Sequence, residues 1–398
     1  MSATRHGNGT ALAAKPFRVT SILPWYLGVG AAVTALSLLT SGYWAYVIDT
    51  VAIFSLVALS FVVVSGYLGQ MSLAQTAFMG LGALVQARLV AIGHLPFLMA
   101  LPITLVVVAS AAVVVGLPAV RLRGVNLAIL SFGFAVVAER VIFQKWLLSG
   151  LYLSGIPFGR NGLGSAWFEN EQHFSLLVIS TVTALMVVIR ALGSSRWGLL
   201  VYSVRDGQAT AALSGVNPTR VKLSAFVVSG CLAGIAGILY ALLLQRAGWE
   251  DYSAFNSITY LAMSVVGGLL HPLGALLGGM MYFGVPQLFS TVSFLRGSQF
   301  QVLSGLLAVA VLVLRPGGLA SLALGRRYEL HLVAPRRRPH RPPLPSPASG
   351  AARPSPRPAG AVNGQGRREM DALRRSCQAP TASALATLRS RTGERPVR

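Results

Sequence analysis

The residues that could do chemistry are few and lie far apart. Asp49, Arg88, Glu139, Arg140 and Arg190 sit in or near the ends of long apolar runs. Ionisable groups inside a membrane span mark proton relays or ion paths. Near the end of a span, the long stem of arginine reaches the interface and leaves its charge in water. The arginines are read that way, and the adjacent Glu139 and Arg140 as a structural pair or interface anchor. The G-x-x-x-x-G-K-[ST] phosphate loop, HExxH and GxSxG are all absent, and the six histidines stand singly. Cys231 and Cys377 lie in unlike surroundings, outside any CxxC spacing. The chain therefore offers no visible nucleophile, zinc cluster or disulfide framework, and any use of ATP falls to a partner chain. No cofactor is expected here.

Glycine and a few polar residues carry more information. Among 42 glycines, two clusters interrupt apolar segments in different halves of the chain: Gly66-Tyr67-Leu68-Gly69-Gln70-Met71-Ser72 and Gly267-Gly268-Leu269-Leu270-His271-Pro272. Paired helix breaks of this kind point to a transport pathway, because an unwound helix exposes backbone polar groups to a passing solute. Gln70, Ser72, Gly267 and Gly268 are the pathway candidates; a tight turn between spans would use the same letters. Gly230, Gly234 and Gly237, with Gly274 and Gly278, are spaced for close helix packing.

The elements that hold these residues are apolar helices. Of 398 residues, 54% are apolar and only 11% charged, and the mean hydropathy is +0.64. A soluble domain carries about a quarter charged residues. A bilayer core needs about 20 apolar residues per helix. Runs of suitable length cover 22–40, 43–65, 96–118, 125–143, 173–192, 223–244 and 299–314, and the interrupted regions 66–92 and 258–292 add more. The expected fold is all-α, a polytopic transmembrane helical bundle of about ten spans. The first run is read as a true span rather than a cleaved signal, since no small-x-small cleavage site follows it.

Charge sets the orientation. Arg5, Lys15, Arg18, Arg121 and Arg123, and the segment 190–222 with five basic residues and one acid, all fall on one side, the cytoplasmic side by the positive-inside rule. Both termini are then cytoplasmic. The net charge of +22 is concentrated at the C-terminal end, where residues 326–398 hold 16 of the 33 Lys+Arg and 11 of the 21 prolines. That composition predicts a disordered basic tail over 323–398. Polybasic attraction to anionic lipid is an added role for it. With no aromatic interleaving, nucleic acid is not an expected partner. The chain thus divides into an N-terminal cytoplasmic segment 1–21, a membrane domain 22–322 and the tail.

The cytoplasmic loop 193–222 contains a compact helix signature. Asp206 is placed to cap, Gly207 to Ser214 to make two turns, Gly215 to end them, and Asn217-Pro218 to prevent resumption. Such a helix under a bilayer is either a docking knob for another protein or an interfacial linker.

The ordered motifs from residue 43 to about 322 resemble the permease subunits of branched-chain amino-acid-type ABC importers, the LivH/LivM group. They are Gly66-Tyr67-Leu68-Gly69-Gln70-Met71-Ser72-Leu73 with Ala77-Phe78-Met79-Gly80-Leu81-Gly82-Ala83; Arg121-Leu122-Arg123-Gly124; Trp197-Gly198 leading to Val204-Arg205-Asp206; Ala211 to Arg220; Ala233-Gly234-Ile235-Ala236-Gly237; and Arg315-Pro316-Gly317-Gly318-Leu319. The resemblance implies half of a translocation pathway. A second related permease would complete it, two ABC ATPase subunits would dock below and bind the ATP, and an extracytoplasmic binding protein would deliver solute. It favours the docking reading of the short helix and makes Arg205, Asp206, Ala211, Gly215 and Asn217 the ATPase-coupling candidates. Gly66, Gly69 and Gly124 become structural glycines. The chain departs from the family's habit at Asp206-Gly207-Gln208, where further acids are common, and at Ala74-Gln75, where Gly-His is common.

The expected function is therefore a non-enzymatic permease subunit in the plasma membrane of a bacterium, moving amino acids or similar small polar solutes. Two rivals differ in class. An ion-coupled secondary transporter would work as a single chain, and a membrane anchor would pass no solute.

Overall fold

The computed structural model describes residues 23–40, 42–122, 124–144, 155–160, 170–290 and 319. The expected span 299–314, the N-terminal segment 1–21 and the tail 323–398 lie outside them.

The described residues are helical except for short connections. Helix α1 (Leu23–Leu39) precedes α2 (Tyr43–Phe61), whose last turn widens into a π-helical segment, Val62–Tyr67. After a break come α3 (Gln75–Ala91), α4 (Phe97–Arg121) and α5 (Val125–Val137), the last also extended by a π segment, Ala138–Phe143. Helix α6 (Glu171–Ser194) leads into two short helices, α7 (Arg196–Asp206) and α8 (Gln208–Leu213), and α9 (Pro218–Leu244) follows. The interrupted region 258–292 is α10 (Asn256–Gly267), α11 (Pro272–Gly279), a π turn Met280–Gly284 and α12 (Val285–Ser290). The one departure from an all-helical pattern among the described residues is a two-residue antiparallel pair, β1 (Ile156–Pro157) with β2 (Arg246–Ala247).

Among the described residues five helices, Tyr43–Tyr67, Phe97–Arg121, Val125–Phe143, Glu171–Ser194 and Pro218–Leu244, are long and apolar enough to cross a membrane. Helix α2 runs through the centre, with Ile53, Leu56, Leu59, Phe61, Val62 and Val63 fully buried. By contrast α4, α5 and α6 present exposed Val106, Val114, Ile129, Val137 and Val188, the face expected of helices solvated by lipid.

Glycine sets the packing distances. A Cβ on Gly237 would stand 1.9 Å from the Met79 carbonyl oxygen, and one on Gly82 2.3 Å from that of Gly234. Helices α3 and α9 therefore touch backbone to backbone, as the glycine spacing predicts. Between them lies a buried polar set in which Ser60 Oγ donates to Gln75 Oε1 (3.1 Å), Gln75 Nε2 to Ser229 Oγ (3.0 Å) and Ser229 Oγ to the Ser60 carbonyl (2.8 Å). Three helices are joined with each group paired, as a polar cluster in an apolar interior requires.

Helices α10 to α12 form a hairpin against α2. Phe54 meets Tyr260 with ring centroids 5.2 Å apart. On the return arm Gly279 packs on Ser55, Gly284 on Val51, and the Gln287 amide reaches Tyr43 Oη. The return arm thus runs antiparallel to α2. The root of the hairpin is pinned by Glu139, whose Oε2 accepts the Ala254 amide at 2.7 Å, and by Thr76 with Ser257 at 2.7 Å.

Candidate functional site

The two interrupted segments come together. The π extension of α2 ends at Tyr67; Gly69 follows with φ +71°, a conformation in which glycine has no side chain to clash. The second break turns at Gly268, φ +113°, and His271 caps α11 by accepting the Leu273 amide at 3.2 Å, with Pro272 as its first residue. At the junction a Cβ on Gly66 would lie 1.9 Å from the Leu269 carbonyl oxygen. Gly267 and Gly274 are equally close to backbone, with carbonyl oxygens 2.3 Å and 1.9 Å from their hypothetical Cβ atoms. These glycines are present because backbone occupies the space.

The pathway candidates are all buried. Gln70 and Gly268 are buried; Ser72 is fully buried and its Oγ accepts the Ala74 amide at 3.4 Å, just before α3. An apolar cavity lies elsewhere, between α1, α2, α6 and α11, lined by Tyr26, Gly30, Ala52, Val182, Met186 and Leu276. Gln70 and Ser72 are thus buried within the protein in the conformation described.

The segment between α6 and α9 has more structure than its sequence announced. Helix α7, in a segment expected to be loop, starts at Ser195, whose side chain accepts the Trp197 amide, and turns Val201 and Val204 inward. Trp197 Nε1 donates to Ser224 Oγ on α9 at 2.9 Å, and Lys222 Nζ to the Val120 carbonyl at 3.2 Å. The base of α9 is thereby tied to both α7 and α4.

Helix α8 spans Gln208–Leu213, and one expectation about it is corrected. Asp206 is the last residue of α7 and does not cap α8; the capping position is Gly207, which offers no side-chain bond. Two helices meeting at an extended glycine leave no room for an aspartate cap. The other end is as expected. Gly215 has φ +82°, its amide donates to the Ala212 carbonyl (3.0 Å) and the Val216 amide to the Ala211 carbonyl (3.1 Å), closing the helix through a left-handed residue. Asn217 Oδ1 then accepts the Thr219 and Arg220 amides and starts α9, with Pro218 first. Ala211 alone of α8 is buried, while Leu213 at its tip is 90% exposed. The sequence reading did not single out Leu213; an apolar residue directly before the Ser214-Gly215 stop was the available signal.

Four ionisable side chains named from the sequence have defined surroundings. Arg190 is half-buried rather than free at an interface, and acts electrostatically on Tyr67, Tyr202 and His271. Glu139 and Arg140 make only a 4.0 Å ion pair, with Arg140 66% exposed, because the carboxylate turns to the Ala254 amide. Asp49 is buried and takes a 2.7 Å bond from Ser175 Oγ. Arg160, whose guanidinium lies 4.1 Å over the Phe174 ring and whose pKa burial lowers, acts electrostatically on Glu171 and, less strongly, on Asp49. Among the structural glycines Gly124 has φ +61° and precedes α5 as its capping residue. Among the described residues no group of three or more His, Cys, Asp or Glu is placed to hold a metal ion.

Comparisons with known proteins agree with this architecture. The chain is 27% identical over 290 residues to the high-affinity branched-chain amino acid transport system permease protein LivM of Salmonella typhimurium, covering 67% of each chain. It is 26% identical over 158 residues to the probable branched-chain amino acid transport permease protein LivH of Methanocaldococcus jannaschii, covering 37% of this chain and 49% of that one. The autoinducer 2 import system permease protein LsrC of Yersinia pseudotuberculosis is 26% identical over 176 residues, 42% of this chain and 48% of its own. No solved structure matches the chain. The family described as the permease component of the branched-chain amino acid transport system matches residues 43–314, and the chain, a multi-pass membrane protein, belongs to that family of ABC transport permeases.

Proposed function

We propose that this chain is one half of the translocation pathway of an ATP-driven importer for amino acids of the branched-chain type or similar small polar solutes. It sits in the plasma membrane of a bacterium with about ten spans and both termini in the cytoplasm. A second related permease forms the other half. Two ABC ATPase subunits bind and hydrolyse the ATP, and an extracytoplasmic binding protein supplies the solute.

The observation that carries this reading is α8. A six-residue helix closed by Gly215 stands with Ala211 inward and Leu213 outward, between Arg205 at the end of α7 and Asn217 at the start of α9. An apolar side chain presented on a short cytoplasmic helix is suited to a socket on a soluble subunit, where buried apolar anchors dominate binding. The similarity to LivM supports the amino-acid class; the similarity to LsrC marks the wider range of solutes carried by related permeases.

The test is affinity purification of the tagged chain in mild detergent, with identification of every co-purifying chain. A P-loop ATPase and a second permease are expected, and the ATPase is expected to be lost from Leu213→Asp while the permease remains. Recovery of this chain alone, in a detergent that keeps known importers intact, would reject the reading in favour of a self-sufficient carrier.

A further inference from the structure

Helix α7 does more than lead into α8. Tyr202 and Arg205 lie three residues apart, on one face of the helix. That face rests on the end of α2. The Tyr202 ring centroid is 5.3 Å from that of Tyr67, and Arg205 Nη1 donates to the Gly66 carbonyl at 2.6 Å. The stem of Arg205 crosses Gly69 so closely that a Cβ there would stand 2.9 Å from its Cγ. Behind the ring, a Cβ on Gly193 of α6 would lie 2.9 Å from Tyr67.

The chemistry of the contact is that of a helix end. The last carbonyls of a helix lack intrahelical donors, and here Leu68 and Gln70 donate back to Val63 and Val64. A guanidinium suits such a carbonyl, because the helix C-terminus carries partial negative charge and the planar fork holds a fixed geometry that a lysine does not. The residue that accepts it is also the residue that touches the second break: Gly66 meets Leu269 backbone to backbone. One arginine on the cytoplasmic segment thus reaches, through one glycine, the place where both helix interruptions meet.

We propose that Arg205 is a positioning residue that ties the α7–α8 segment to the joined helix breaks, so that displacement of α8 is delivered to the Gly66–Leu269 junction. This rests on the importer reading above. The strut is a single side chain bridging two backbones, and Ala211 and Leu213 of α8 and Gly215 beyond it make none of its contacts. Docking and transmission are therefore separable.

The experiment uses the complete transporter with its own ATPases and binding protein, reconstituted in proteoliposomes, with leucine as the solute. Retention of the ATPase, ATP hydrolysis and leucine uptake are measured for wild type, Arg205→Ala, Arg205→Gln and Arg205→Lys. The expected result is that Arg205→Ala keeps its ATPase and its basal hydrolysis while leucine moved per ATP falls at least tenfold, with Arg205→Lys intermediate. A merely structural role would lower the amount of complex and leave that ratio alone. Where Arg205→Ala does not accumulate, Arg205→Gln, which keeps a donor on a shorter stem, is held to the same ratio. An unchanged ratio overturns the proposal, and so does loss of the ATPase from the variant, which would place Arg205 in the docking surface. Failure of the wild-type complex to hold an ATPase at all would sink the importer reading instead, a distinct outcome.

Discussion

Gly66 and Leu269, 203 positions apart in sequence, are in backbone contact: the Leu269 carbonyl oxygen occupies the volume that any side chain at position 66 would need, 1.9 Å from its Cβ. Two helix interruptions from separate halves of the chain therefore form one joint. Backbone-to-backbone approach of this kind is available only to glycine, so the sequence requirement at 66 comes from a neighbour and not from local conformation.

Gly66→Ala is accordingly expected to disrupt the junction. Neither partner can yield cheaply, since both are backbone in packed segments, and overpacking costs about 1–3 kcal/mol or more. Membrane levels and detergent melting temperature are the measurements; an alanine variant as stable as wild type would show that the two breaks separate readily.

Gly215→Val tests the stop of α8 without a packing change. Nothing lies within 4 Å of a Cβ at Gly215, yet its φ is +82°, so the cost is backbone strain alone, about 1–2 kcal/mol. The fold is expected to survive. The end of α8 is expected to re-form differently, uncoupling ATP hydrolysis from uptake; unchanged solute-stimulated hydrolysis and uptake would defeat the coupling role of Gly215.

Asp49 and Arg160 are expected to be weakly coupled. Arg160→Ala removes a nearby positive charge from the Asp49 carboxylate, which stays buried beside Ser175; the two side chains make no direct ion-pair contact, and a loss of up to about 1 kcal/mol is expected. Adding Asp49→Asn should restore part of the loss, because an amide keeps the Ser175 contact without the charge. A double-mutant cycle on melting temperature with a coupling of about 0.5 kcal/mol or less would show the two side chains to be independent.

Deletion of residues 326–398 is expected to leave transport intact, because the matched family region ends at 314. Vesicles with and without anionic lipid distinguish a membrane-attracted tail from a solvated one. Loss of uptake at normal membrane levels of the truncated chain would refute the prediction.

Much of this fold was legible because apolar helices declare themselves by composition. The spans at α2, α4, α5, α6 and α9 fall where the apolar runs lie, and the Gly215 and Asn217-Pro218 punctuation of α8 and α9 was readable residue by residue, since each has one conformational reason. What escaped depended on partners distant in sequence. Helix α7 does not declare itself in the sequence, because Trp197, Val201 and Val204 form a short apolar stripe in a basic segment and only packing on α9 shows which face is buried. Asp206 satisfied the rule for a helix cap, but the choice between ending α7 and beginning α8 is made by Gly207. The π turns after Phe61 and Val137 leave no signature in composition. Glu139 reads as a structural pair with Arg140 or an interface anchor, and the pair is present at 4.0 Å, but its bond from the Ala254 amide, 115 positions away, has no local signal. The roles of Gln70 and Ser72 could not be separated from those of turn residues, since a break and a turn use the same letters.

The α10–α12 hairpin is held along its length and not only at its root. Directional bonds from Glu139 and Thr76 fix the root, Gly279 on Ser55 and Gly284 on Val51 seat the return arm on α2, and Leu269 is seated on Gly66 at the tip. Glycine brings the return arm and α2 so close that little shear between them is available. A tilt of α2 would therefore carry the hairpin with it, the two turning as one plate.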